Sequence, residues 1–265
     1  MCSLTARGDL GTVLSALPSP TIRGVAEHGG STHSGSTESP GRHEDHATAR
    51  PRLRGVITDW GGVMTSPILH TVNAWLEAEQ IDRDSYLAVM RPWIAQAYGA
   101  DGEDSPIHLL ERGEFPDAEF ERLLAERLVG VNGLPVAPER LLARMFAATV
   151  LDAAMQDLMR ALRRAGLRTA LLSNSWGSDD YPRQLFPELF DAVVISAEVG
   201  MRKPEERIFR LAAELLGLRP AECVFIDDIE ANVLAAEAIG LVGVHHRESG
   251  PTAERLTELL GVPLV

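Results

Sequence analysis

From residue 153 onward, short apolar runs alternate with amphipathic segments, and this rhythm constrains the fold more than any other feature of the chain. Ala153–Ala165 reads as a helix stopped by Gly166, Arg168–Ser173 as a strand and Ala192–Ser196 as another. Glu205–Leu216 reads as a helix stopped by Gly217, and Cys223–Asp227 as a strand. A helix over Glu230–Ile239 stopped by Gly240, a strand over Val242–His245 and a helix near Thr252–Leu260 complete the series. One more apolar, β-prone run, Val56–Trp60, lies far upstream and ends at Gly61-Gly62. Buried strands that alternate with helices pair in parallel, with helices on both faces of the sheet. The expected fold class is therefore α/β.

Between the first strand and the second, from Ile68 to about Phe146, the apolar pattern is helical throughout. Phe120, Leu123, Leu124 and Leu128 recur at i, i+3, i+4 and i+8. His70 and Trp75 both fit an apolar stripe of the first of these helices. An insertion at that point lies over the carboxyl ends of the strands, where ligands bind in such sheets. Residues 1–50 are different. The stretch from His28 to Arg50 has almost no large apolar residue, so this extension is expected to be disordered. Its histidines, His28, His33, His43 and His46, are irregularly spaced and suit a solvated linker better than a metal tract. The opening segment is a poor match to a signal peptide, because Asp9 interrupts its short apolar run. The expected organisation is a disordered extension at 1–50, a core at 51–66 and 150–265, and an inserted helical unit at 67–149.

Composition excludes several classes. No apolar stretch approaches the ~18 residues a membrane helix needs. Two cysteines, Cys2 and Cys223, cannot staple a fold of 265 residues, and they point to a reducing, cytoplasmic setting. A net charge of -13 argues against nucleic acid or an anionic membrane as partner. An acidic chain holds an anionic ligand by concentrating positive charge locally. Here 24 of the 25 basic residues are arginine, and Lys203 is the only lysine. An ammonium is a compact charge on a flexible stem, suited to a phosphate or a carboxylate.

Four predicted strand ends carry chemistry. Asp59 ends the first, in GVITDWGG, and Ser173 with Asn174 ends the second, in LLSNSWG. Lys203 precedes Pro204 just ahead of a helix, and Asp227 with Asp228 ends CVFID. Each has an ordinary alternative: a turn for Asp59, loop residues for Ser173 and Asn174, a helix start for Lys203-Pro204. Asp227 and Glu230 have capping-box spacing. Together the four project from one edge of a parallel sheet, which suits a divalent cation with an anionic group held between it and the lysine.

In order and spacing these segments, across about residues 55–247, resemble the haloacid dehalogenase superfamily. The Gly-Gly-Val turn and the acidic pair followed by Asn are most similar to its epoxide-hydrolase phosphatase and sugar-1-phosphate phosphatase group. The resemblance implies a Rossmann-like core, a helical cap inserted after the first motif, and Mg²⁺-dependent hydrolysis of a small phosphate ester by a monomer or homodimer. By the same resemblance Asp59 is the nucleophile that forms an aspartyl-phosphate, and Asp59, the Gly61 carbonyl and Asp228 are metal ligands. Asp227, pointing the other way, is an outer ligand or orients Lys203. Ser173 and Asn174 donate to phosphate oxygens, and Lys203 neutralises charge on Asp59 and the phosphoryl group. One position departs from the usual pattern. Gly61 stands where most phosphatases of the family carry an Asp that protonates the leaving group. A substrate with a low-pKa leaving group, or a donor from the cap or from the Trp176–Tyr181 loop, would meet this lack. The alternatives are a metal-independent 2-haloacid dehalogenase, which the paired acids Asp227-Asp228 argue against, and a non-catalytic binding module, which Gly61 favours.

Overall fold

A computed structural model describes residues 52–97, 105–177 and 181–264. The expected disordered extension and its histidines lie outside the described residues. Five parallel strands form one sheet: β1 (Gly55–Thr58), β2 (Arg168–Ser173), β3 (Ala192–Ile195), β4 (Cys223–Asp227) and β5 (Val242–His245). Their order across the sheet is β3-β2-β1-β4-β5. Gly55 lies opposite Arg168 of β2 on one side and Cys223 of β4 on the other, so β1 is central. The chain reverses its direction of travel across the sheet between β1 and β4, and this is the switch point at which ligands bind in open α/β sheets.

Among the described residues, six α-helices lie between β1 and β2: α1 (Ile68–Ala78), α2 (Arg83–Ala97), α3 (Pro106–Glu111), α4 (Asp117–Ala125), α5 (Leu141–Phe146) and, returning to the sheet, α6 (Ala153–Arg164). Five more follow β2: α7 (Phe186–Leu189), α8 (Ser196–Val199), α9 (Glu206–Leu215), α10 (Glu230–Ala238) and α11 (Ser249–Leu260). Alternation along the strands splits the sheet's side chains between two cores. Val56, Leu171, Val224 and Ile226 pack with Met155, Leu158 and Met159 of α6 and Leu256 of α11. Ile57, Ala170, Leu172 and Phe225 pack with Ile208, Phe209 and Ala212 of α9 and Ala236 of α10. Helix α6 shows how locally this is written. Its buried Met155, Leu158, Met159 and Leu162 repeat at helical spacing, and Asp152 caps it by accepting from the Met155 N–H at 2.8 Å.

The inserted helices form a third, separate core around Trp75, Met90, Phe120 and Leu124. The insertion is not helical throughout. Residues 129–140 form an irregular connection with isolated bridges from Ile81 to Gly130 and from Val129 to Pro135. Trp75 is buried as expected, whereas His70 is exposed. The buried stripe of α1 is Thr71, Val72, Trp75 and Leu76, which turns His70 outward.

Candidate active site

All four strand-end segments meet at the carboxyl edge of the sheet. β1 stops at Thr58, one residue short of Asp59 and two short of the expected strand end. The Asp59 N–H still donates to the Ile226 carbonyl at 2.8 Å, so Asp59 is held beside β4. The chain then turns sharply, with the Met64 N–H reaching the Trp60 carbonyl at 2.8 Å. Gly62 takes φ +76°, and a Cβ there would stand 2.3 Å from Asp228 Oδ2. Only glycine fits this backbone and this close approach. The turn after β1 is thus shaped around the carboxylate after β4.

Lys203 is 1% exposed, and its Nζ lies 2.6 Å from Asp59 Oδ1 and 2.7 Å from Asp227 Oδ2. Burial pulls its pKa down, but the Asp227 and Asp59 carboxylates outweigh this and hold it above the ordinary lysine value. The lysine is a fixed cation. Asp227 is fully occupied by neighbours. Besides Lys203, its Oδ1 accepts from the Ile229 N–H at 2.8 Å, and the Asn232 amide reaches both its oxygens at 3.1 and 3.2 Å. It is therefore not the helix cap that its spacing to Glu230 suggests, since α10 begins at Glu230 with Ile229 in the cap position. Burial raises the Asp59 pKa to about 7, against the pull of Lys203 and with repulsion from Asp227 adding to the rise. Burial, with repulsion from Asp227 and Asp59, pushes Asp228 well above the usual carboxylate range.

Oxygens of Asp59, Asp227 and Asp228 lie within 4.8 Å of one another. Asn232, 1% exposed, keeps an Oδ1 with no hydrogen-bond partner and lines a cavity together with Asp59 and Asp228. Crowded carboxylates that resist ionising, beside an unpaired carbonyl oxygen, make a hard oxygen donor set that fits a divalent ion such as Mg²⁺.

The second motif divides its work. Ser173 Oγ lies 2.9 Å from the Tyr181 hydroxyl, whose pKa burial raises to about 12. Asn174 acts differently from the expected phosphate donor. Its Oδ1 accepts from the Lys203 N–H at 2.8 Å and its Nδ2 donates to the Lys203 carbonyl at 3.0 Å. Its amide thus fixes the backbone that carries the lysine.

Sequence reasoning missed Glu111 and Arg202. Glu111, at the end of α3, accepts from Arg202 Nε at 2.5 Å, Trp176 Nε1 at 2.9 Å and Asn174 Nδ2 at 3.4 Å. Glu111 and Arg202 are both buried. An acid in the run LLERGE carries no sequence signal of burial, and its partner lies 91 residues away. Cys223 is buried, and burial raises its pKa to about 12, as suits a core thiol. Among the described residues no helix is long and apolar enough to cross a membrane.

A parallel α/β sheet with an acid after its central strand, a buried lysine facing that acid and a tandem acid pair on the next strand defines a hydrolase class of Rossmann-like fold. A family model for haloacid dehalogenase-like hydrolases matches residues 53–240, and the chain belongs to that family. It is 25% identical over 227 residues to bifunctional epoxide hydrolase 2 of Sus scrofa, across 80% of this chain and 40% of that one. A sesquiterpene phosphatase of Aspergillus oryzae is 35% identical over 113 residues, across 42% of this chain and 58% of its own length. The chain thus spans less than two thirds of either relative. In fold it is similar to a haloacid dehalogenase-family enzyme of Bacteroides thetaiotaomicron, crystallised as a variant with magnesium and inorganic phosphate. That likeness has a TM-score of 0.51 at 22% identity and covers 74% of this chain and 94% of the other.

Proposed function

We propose that the protein hydrolyses the phosphate monoester of a small molecule, with Asp59 as the nucleophile. The observation that carries this is the buried Lys203 ammonium bridging Asp59 and Asp227 beside Asp228. A phosphatase among the relatives supports the same reading.

In this reading an Asp59 oxygen attacks phosphorus, the ester P–O bond breaks, and the leaving oxygen takes up a proton. Water then attacks the phosphorus of the aspartyl-phosphate, releasing inorganic phosphate and regenerating the carboxylate. Lys203 favours the ionised form of Asp59 against the burial that raises its pKa, and offsets charge on the phosphoryl oxygens. Ser173 Oγ donates to one of those oxygens. Asp227 and Asn174 are positioning residues, the first on the lysine head and the second on its backbone. Asp59, Asp228 and the Gly61 carbonyl would hold Mg²⁺, which would supply further neutralisation of the phosphoryl charge.

Gly61 offers no proton to the leaving group, so substrates with low-pKa leaving groups are favoured. A kcat/KM that does not change with leaving-group pKa across substituted phenyl phosphates would contradict this. Residues 67–149 serve as a cap that sets substrate choice over a core of 51–66 and 150–265. The central test is turnover of p-nitrophenyl phosphate. Wild type is expected to turn it over with Mg²⁺ and to lose that activity in chelator. Asp59→Asn should be inactive while still unfolding in a single cooperative thermal transition. Activity indifferent to chelator would favour dehalogenation instead, and activity retained in Asp59→Asn would sink the nucleophile assignment.

A further inference from the structure

The site opens into a cavity of about 510 Å³, within the range of small-molecule sites. One end is lined by Asp59, Ser173, Lys203 and Asp228. The remainder runs among the inserted helices, where Ile68, Val72, Leu87, Met90, Ile107 and Phe146 form the wall. Among the described lining residues of the insertion, Glu111 is the one charged group. It is already committed to Arg202, Trp176 and Asn174. The insertion's hydroxyls in the lining are those of Tyr86 and Thr149.

These walls discriminate between two kinds of ester. Among the inserted helices the hydroxyls of a sugar would leave water and meet the Tyr86 and Thr149 hydroxyls besides the committed Glu111, and each unpaired polar group costs about 1–3 kcal/mol; Thr65, Glu230, His245 and Arg247 also line the cavity but lie outside the insertion. An apolar body gains by leaving water. We infer, resting on the phosphatase reading above, that the substrate is an amphiphile, a phosphate monoester whose organic body is a hydrocarbon lodged among the inserted helices. Lys203 and Ser173 take the phosphate head beside Asp59. The insertion selects by apolar area and by length, up to the volume of the cavity.

The test uses para-alkylphenyl phosphates with methyl, butyl, hexyl and octyl substituents. Their leaving-group pKa is nearly constant, so the series varies the body without varying the chemistry. The full chain with Mg²⁺ should gain about fourfold in kcat/KM per added methylene until the cavity is filled, and glucose 1-phosphate should fall below every alkyl member. Phe146→Ser, at a half-buried wall position, should lower the hexyl-to-methyl ratio of kcat/KM about tenfold, equivalent to roughly two methylenes of contact. A purely structural effect would lower both members equally. A flat series, an unchanged ratio in Phe146→Ser, or a preference for glucose 1-phosphate would overturn the inference and leave the phosphatase reading standing. No Mg²⁺-dependent turnover of any ester, the methyl member included, would overturn both.

Discussion

Replacing Glu111 by alanine removes one half of a buried ion pair and leaves the other half in place. Arg202 then keeps its charge at 2% side-chain exposure, without the carboxylate that lies 2.5 Å from its Nε. Trp176 Nε1 and Asn174 Nδ2 lose an acceptor in the same step. Breaking a buried pair by removing one partner costs about 3–5 kcal/mol, because a buried charge loses its facing carboxylate. For a chain of this size that corresponds to a fall in Tm of about 6 °C or more. Glu111→Met combined with Arg202→Met replaces both charges with apolar groups of similar length, and such exchanges are often neutral or better. The double variant should therefore be more stable than Glu111→Ala by about 2 kcal/mol or more. Urea unfolding of the single and double variants measures this directly. A Glu111→Ala cost under about 1 kcal/mol, or a double variant no more stable than the single, would refute the claim that this pair is held together by mutual compensation. Because Asn174 also grips the Lys203 backbone, Glu111→Ala should lower kcat more than it raises KM.

Two further outcomes follow from the electrostatics and the turn. The Asp59 pKa is raised to about 7 in the fold, above the unfolded value of about 3.8, so its protonated form stabilises the metal-free protein at low pH. That contribution is fully present below about pH 4 and is lost as pH rises through about 7; Asp228 shifts in the same direction. In chelator the Tm should fall between pH 5 and pH 8, Mg²⁺ should reverse the fall, and Asp59→Asn should shrink it; a Tm that rises over this range with Asp59 intact would be inconsistent. Gly62→Ala places a Cβ at positive φ against Asp228 Oδ2 and should cost about 1–3 kcal/mol and weaken Mg²⁺ binding. Gly61→Ala meets the movable Ile68 Cδ1 at 3.0 Å and should cost less; equal costs on urea unfolding would refute the distinction.

The sheet was legible because its strands are short apolar runs between helical segments, and each helix after residue 153 keeps its own period. The strand-end chemistry was legible for a related reason. Asp59, Ser173, Asp227 and Asp228 each sit at or next to the point where such a run stops, and Lys203 sits just ahead of a helix. What escaped was side-chain direction. Asn174 reads as a phosphate donor until its amide is seen to be taken by the backbone of a residue 29 positions later. His70 reads as part of a stripe until the register of α1 turns it outward. Glu111 was invisible because its meaning lies in Arg202 and Trp176, which local periodicity does not connect to it. The cavity's apolar depth belongs to helices whose mutual packing no single segment encodes.

The isolation of Lys203 has a consequence for chemistry done on the molecule as a whole. This chain carries one side-chain amine, and the fold shuts it behind two carboxylates. Reagents that acylate amines therefore find no ε-amino group on the native surface, and any mark they leave at that position dates a moment when the sheet edge stood open. A residue chosen for its charge doubles as a timekeeper of exposure.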